Sequence, residues 1–395
     1  MNQFNSIVKK TPLEFCQRLS QKYKAKIYLK REDLQTVRSF KIRGAYNKIH
    51  KNYQPDSHFI TASAGNHAQG VAYACQQLGL KCHIFVPENT PLQKISRIKY
   101  FGDAQCHLEI TGKNFNEALN NSLQFCQQQQ GIFVHPFDDQ DVIEGQGTIG
   151  TEILNSIEPD IVLAGVGGGG LLSGLVMNLP KTDIIGVEPE GAASMYQSLK
   201  ENKLVTLEKI DTFVDGASVN QVGKLTFEIA KKSSQIVKIS NGNICSNMIE
   251  LYQNEGIICE PAGALSVTGL SMLDKNYLKN KNIVCIVSGG NNDLLRYPEI
   301  IENSLRYQNL KHYYIIKFQQ KPGQLKKYVK DILPNNCDIT RFEYIKKNNR
   351  YDGTVLIGIE IIDPLNNQEI KKNMSKYNFE FIEISEQDLL YNYLI

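Results

Sequence analysis

Tryptophan is absent from the 395 residues, and no two of the nine cysteines are spaced as C-x-x-C. The cysteine count is odd, and several members sit inside apolar runs such as Ile283-Val284-Cys285-Ile286-Val287. That pattern argues against a disulfide frame and offers no zinc-ligand spacing, so reduced, buried thiols in a cytoplasmic protein are expected, with no metal. An excess of one charge is also missing: 44 Lys plus Arg against 41 Asp plus Glu leaves +3. A nucleic-acid binder would show a strong basic bias, so no nucleic-acid partner is expected. No apolar run approaches the ~18 residues of a membrane span. Met1 to Lys10 lacks the apolar stretch of a signal peptide, so no membrane partner is expected either. What is present is ordinary globular composition, 42% hydrophobic and 22% charged, in a chain long enough for more than one domain.

Short apolar runs alternate with helical patterns over roughly the first 300 residues. Strands are expected at 26–30, 58–61, 82–86, 131–135, 160–164, 183–187 and 282–287, with helices at 70–79 and 115–129 among those between them. Many of these runs are apolar throughout, which suits strands covered on both faces of a parallel sheet, and the alternation predicts an open α/β architecture. The pattern changes after residue 307. A strand at 312–318, a helix at 322–333, strands at 338–347 and 354–362 around a turn at 348–353, a helix at 367–377 and a strand at 379–385 spell β-α-β-β-α-β, a ferredoxin-like unit. Residues 1–306 and 307–395 are therefore read as separate domains.

Five segments could carry chemistry. In Ser39-Phe40-Lys41-Ile42-Arg43-Gly44-Ala45 the lysine has apolar neighbours, and desolvation favours the neutral amine that Schiff-base chemistry needs; a surface lysine on an amphipathic helix fits the same heptad. Thr61 to Gly70 follows a strand and opens a helix, where small residues and free N–H groups can hold a carboxylate and Asn66 adds an amide; a tight turn capped by Ser63 is the structural alternative. His67 alone would more often be structural than a general base. Gly167-Gly168-Gly169-Gly170-Leu171 offers unobstructed N–H groups to a phosphate, but lacks the Lys-Ser/Thr ending of a P-loop. Gly165 to Gly170 also fits G-x-G-x-x-G loosely, with Glu188 as the later acid, so a dinucleotide stays open for that segment taken by itself. Ser288-Gly289-Gly290-Asn291 ends a buried strand, where a hydroxyl can serve a ring nitrogen or cap a helix. Glu260-Pro261-Ala262-Gly263-Ala264 could reach a site, although capping of the following helix is the favoured reading.

Taken together, Lys30-Arg31-Glu32-Asp33, the Lys41 heptad, Ser63-Ala64-Gly65-Asn66-His67, Gly167 to Leu171 and Ser288-Gly289-Gly290-Asn291 resemble the fold-type II pyridoxal-phosphate enzymes, in particular the threonine dehydratase family. The resemblance runs from about Thr11 onward. It implies two open twisted sheet subdomains, the smaller at roughly 35–145, followed by an ACT-like regulatory domain of the single-module form. It implies pyridoxal 5′-phosphate as cofactor, with Lys41 as the lysine that bonds to it and Phe40 against its ring. Asn66 would serve its 3′-oxygen, Gly167, Gly168, Gly169, Gly170 and Leu171 its phosphate, and Ser288 its ring nitrogen. Ser63, Ala64, Gly65 and His67 would hold the substrate carboxylate. Glu188 to Ala192 lies where some relatives bind a cation, and none is assigned here.

The implied activity is a carbon–nitrogen lyase reaction in isoleucine biosynthesis: β-elimination of L-threonine to 2-oxobutanoate and ammonia. Feedback by isoleucine, with valine as a second candidate, and assembly into a tetramer come with the resemblance. Relatives usually carry roughly twenty more residues before Thr11, at a terminus where truncation is well tolerated. A serine dehydratase or serine racemase is the rival within the fold, since one methyl separates the substrates and discriminates by only ~1–3 kcal/mol. An NAD-dependent oxidoreductase and an amino-acid-sensing binding protein are the more distant alternatives.

Overall fold

The computed structural model describes residues 7–344, 351–385 and 388. Within it the chain divides into two compact units, Met1–Asp293 and Leu294–Ile395. The helix Tyr297–Tyr307 falls in the second unit, which therefore begins before residue 307.

The first unit holds two sheets. The larger contains β1 (Leu13–Phe15), β2 (Lys26–Arg31), β7 (Ile161–Gly165), β8 (Asp183–Pro189), β9 (Gln235–Ile239) and β10 (Asn282–Val287), in the order β1-β2-β10-β7-β8-β9. All pairings are parallel except that of β1 with β2. The smaller contains β3 (His58–Ala62), β4 (Lys81–Val86), β5 (Cys106–Ile110) and β6 (Ile132–Phe133), all parallel, in the order β5-β4-β3-β6. The centre of the larger sheet is dry: Ile161 to Ala164 and Ile283 to Val287 are all buried. Such strands need apolar residues on both faces, which is why they read as unbroken runs. The strands absent from the sequence reading, β1, β5 and β9, lie at sheet edges, where one side is wet and the apolar run is broken, as in Cys106-His107-Leu108-Glu109-Ile110.

Helices Lys41–Lys51 and Gln140–Leu154 pack together beside these sheets, and a buried ionic cluster fixes the first of them. The Arg43 guanidinium is fully buried and donates to both oxygens of Glu32, at 2.7 and 2.8 Å, and to Glu152 at 2.7 and 3.0 Å. Lys30 Nζ meets Glu152 at 2.5 Å and the Thr11 hydroxyl donates to Glu32. Burial alone would raise the Glu32 carboxyl; Arg43 outweighs it and holds the group below the ordinary carboxylate range. Lys41 stands two residues from Arg43, so this cluster sets where the helix begins.

The second unit contains β11 (Lys311–Gln319), β12 (Cys337–Tyr344), β13 (Asp352–Ile361) and β14 (Phe381–Glu383), antiparallel in the order β12-β13-β11-β14. Helices Gln324–Asp331 and Leu365–Lys376 complete the β-α-β-β-α-β order. Their apolar sides, including Tyr328, Ile370 and Met374, close a core with Tyr314, Ile316, Ile357 and Ile359. Residues 345–347 of the expected strand and Asn348 to Arg350 of the expected turn lie outside the described residues. Among the described residues no helix is long and apolar enough to cross a membrane.

Candidate active site

Four loops of the first unit come together where strands end and helices begin, the position that open α/β sheets use for ligands. The Lys41 loop and the Ser288 loop are laced by backbone bonds: Phe40 N–H donates to Ser288 O at 3.1 Å, Gly290 N–H to Arg38 O at 2.9 Å, and Ser39 pairs with Gly289. Lys41 opens its helix, its Nζ donates to Pro136 O at 2.8 Å, and it lies 5.3 Å from the Phe40 ring centre. The residue keeps some exposure, yet burial of its amine lowers the pKa to about 8, with Glu260 acting in the opposite direction. A useful fraction of neutral amine is then present near pH 7.

The glycine loop lies between β7 and helix Gly170–Asn178. It is closed to side chains by its neighbours. A Cβ on Gly168 would stand 2.2 Å from the Phe137 ring, and one on Gly167 would stand 3.0 Å from Ala217 Cα. Gly169 has φ +93°, a left-handed conformation that glycine adopts without a steric penalty. The result is a bare run of N–H groups at a helix start, suited to a phosphate. Leu171 points into the core, so only its backbone is available there. Phe137 comes from the segment after β6, and Asp138 beside it caps helix Lys224–Ala230 by accepting from Lys224, Leu225 and Thr226 N–H at 3.0, 2.9 and 3.2 Å.

Asn66 begins helix Asn66–Leu78, and its amide is held at both ends. Its Nδ2 donates to Glu260 Oε1 at 2.7 Å and its Oδ1 accepts from Asn291 Nδ2 at 2.7 Å. An amide nitrogen carries two hydrogens, so one remains for a ligand oxygen. Glu260 does not cap its helix as the sequence reading favoured; it makes no side-chain cap bond and turns to Asn66. Burial and the nearby Asp215 raise its carboxyl to about 7, while the Asn66 bond works against them. A signal was present: Glu is not among the preferred N-cap residues.

Ser63 does not cap the helix either; its Oγ accepts from Gly65 N–H at 3.2 Å. Ala64 and Gly65 are half-buried, and a Cβ on Gly65 would touch nothing within 4 Å, so the loop has room over it. His67 turns its ring inward, with Nε2 2.9 Å from Val134 O. Burial, and next the charge of Lys41, lower its pKa to about 3, so the ring is neutral. Its part in any carboxylate seat is therefore through the backbone. The Ser288 hydroxyl is buried and donates to Ala262 O at 3.1 Å. Rotation about one bond redirects that donor. Glu188, the candidate Rossmann acid, accepts instead from Met195 and Tyr196 N–H at 2.8 and 2.7 Å inside the core. Phe137 and Asp138 were missed by the sequence reading; they follow a strand end, which is the one cue that could have found them.

A desolvated lysine, a side-chain-free phosphate seat, a fixed amide and a buried hydroxyl are the donor set that pyridoxal phosphate requires. The profile of the family described as pyridoxal-phosphate dependent enzymes matches residues 5–289, and the chain belongs to that family. The profile of the C-terminal regulatory domain of threonine dehydratase matches residues 302–394. Biosynthetic L-threonine dehydratases of Staphylococcus epidermidis and Bacillus subtilis are 48% and 45% identical, over 99% and 98% of this chain and 95% and 94% of theirs. Among solved structures, threonine deaminase isoform 2 of Solanum lycopersicum is similar with TM-score 0.71 and 40% identity, over 75% of this chain and 89% of that one. Maize serine racemase matches with TM-score 0.71 at 27% identity, over 78% of this chain and 96% of that one.

Proposed function

We propose that the protein is a pyridoxal-phosphate-dependent threonine dehydratase, which converts L-threonine to 2-oxobutanoate and ammonia. The observation that carries this reading is the Lys41 amine, lowered to about 8 by burial, in a loop bonded through its backbone to the Ser288 loop. When bound, pyridoxal phosphate supplies an electron sink next to the substrate Cα. The residues of the chain do the rest. Lys41 takes the Cα proton, a role open to it because its neutral form is populated near pH 7. N–H groups at the start of helix Asn66–Leu78, over Ser63 to His67, hold the substrate carboxylate. Gly167 to Leu171 hold the phosphate through backbone N–H groups. Asn66 serves the 3′-oxygen with its second hydrogen, and Glu260 keeps that amide oriented. Ser288 can donate a hydrogen bond to the ring nitrogen but cannot supply a full positive charge. Phe40, whose ring lies 5.3 Å from Lys41 Nζ, would lie against the cofactor ring. The unsaturated amine left by β-elimination hydrolyses to the keto acid.

Gly168→Ala tests the phosphate seat. A methyl there displaces the Phe137 ring, and overpacking costs about 1–3 kcal/mol. Pyridoxal-phosphate affinity, measured by titrating the cofactor into stripped enzyme, is expected to fall roughly tenfold or more. Unchanged affinity would place the phosphate elsewhere.

Isoleucine inhibition through the second unit belongs to the same reading, as do a tetrameric assembly and a cytoplasmic setting, supported by the family likeness. A cavity of about 340 Å³ in that unit is lined by Lys371, Glu383, Arg306 and Ile384 among others. Glu383 accepts from His312 Nδ1 at 2.9 Å and Lys371 Nζ at 2.6 Å, and although burial opposes it, these bonds hold its carboxyl at about 2. A fixed carboxylate and nearby cations match the two charged ends of a free α-amino acid. Keto-acid release from L-threonine is expected to exceed that from L-serine and to fall with isoleucine; Glu383→Gln is expected to keep the rate and lose the response. A preference for serine, or a rate indifferent to saturating isoleucine, would move the protein to the serine-directed branch of the family.

A further inference from the structure

Three of the seven histidines gather on one face of the smaller sheet of the first unit. Parallel pairing sets His83 of β4 beside His107 of β5 and Phe85 beside Glu109, while Ile60 of β3 lies beside His83. Side chains alternate between faces along a strand. His58, His83, His107 and Glu109 therefore share one face, and Cys82 and Cys106 lie on the other. The helix Phe115–Gln128 covers part of the histidine face, with the Phe125 ring 4.3 Å from that of His83 and 5.9 Å from that of His58. His83 and His107 have ring centres 4.2 Å apart, and His58 stands 5.8 Å from His83 on the other side. His83 Nε2 lies 3.2 Å from Glu109 Oε2.

One ligand atom from each of His83, His107 and Glu109 lies within 4.8 Å of the other two. Ligands at ~2.0–2.2 Å from a tetrahedral zinc ion stand roughly 3.5 Å apart, so modest side-chain rotation brings these three to a metal. We propose that His83, His107 and Glu109 form a site for a divalent transition metal, with water in the remaining positions. Two imidazoles and a carboxylate favour zinc, nickel, cobalt or copper over magnesium or calcium. Binding at Nε2 of His83 moves its proton to Nδ1 and replaces the hydrogen bond to Glu109 with a shared ion. The ion would tie β5, an edge strand, to β4. Sequence spacing could not reveal the site, since its ligands come from two strands and not from one local motif.

Calorimetric titration of the holoenzyme with zinc chloride tests the proposal. The wild type is expected to take one zinc per chain. His107 is exposed, so His107→Ala keeps the fold, and its affinity is expected to drop by about tenfold or more, as is that of Glu109→Gln. Cys106→Ser, on the opposite face, is expected to bind as the wild type does, and all three variants to keep the catalytic rate. Failure of the wild type to bind zinc overturns the proposal. So does undiminished binding by His107→Ala and Glu109→Gln, or loss of binding in Cys106→Ser, which would assign the ion to thiols.

Discussion

Lys41→Ala is expected to abolish conversion of L-threonine while leaving the fold and the phosphate seat in place. Burial sets the pKa of the Lys41 amine at about 8, near the working range of a general base. Removing a positioned base typically costs 10²–10⁴-fold; here the covalent attachment of the cofactor goes with it, so the loss lies at or beyond the upper end. The check is steady-state keto-acid release, with circular dichroism to show that the variant is folded. Added methylamine, a small free amine, is expected to restore a fraction of the rate, because the space vacated by the side chain remains. A variant that keeps a tenth of the wild-type rate would remove Lys41 from the chemistry, whatever else the pocket holds.

The second large effect is on stability. Arg43→Ala leaves Glu32 fully buried without the guanidinium that neutralises it. Breaking a buried pair in this way costs about 3–5 kcal/mol, because an uncompensated charge stays inside. Removing one arm of the exposed pair between Lys51, at the end of the same helix, and Glu144 serves as the control, with a cost of about 0–1 kcal/mol. Urea unfolding of the two variants separates the cases. Equal midpoints for Arg43→Ala and Lys51→Ala would mean that the cluster does not hold the helix. Because Lys41 begins that helix, weaker cofactor retention is expected to accompany the stability loss in Arg43→Ala alone.

What could be seen in the sequence follows from where water lies. Ile283 to Val287 and Ile161 to Ala164 are dry on both faces, so their runs are unbroken and their strands legible. β5 and β9 are edges whose His107, Glu109, Gln235 and Lys238 interrupt the apolar signal. Local chemistry was equally legible: Lys41 among apolar neighbours and the run of four glycines each carry their reason within a few residues. Contacts that cross the chain were not. Asp138 caps a helix 86 residues away, and Glu260 reaches Asn66 across 194 residues. The Phe137 ring that fills the space beside Gly168 follows a strand end, but nothing near it in the sequence ties it to that glycine. The metal-ligand face of β4 and β5 belongs to the same class, since only the pairing register brings its members together.

The proposed function requires that pyridoxal phosphate bond to Lys41. Borohydride reduction of the holoenzyme fixes that bond permanently, and peptide mass spectrometry then locates it. A pyridoxyl-phosphate adduct on the peptide containing Ser39-Phe40-Lys41-Ile42-Arg43, at one adduct per chain, is the predicted result. An adduct on a different lysine, or none after incubation with the cofactor, would contradict the account.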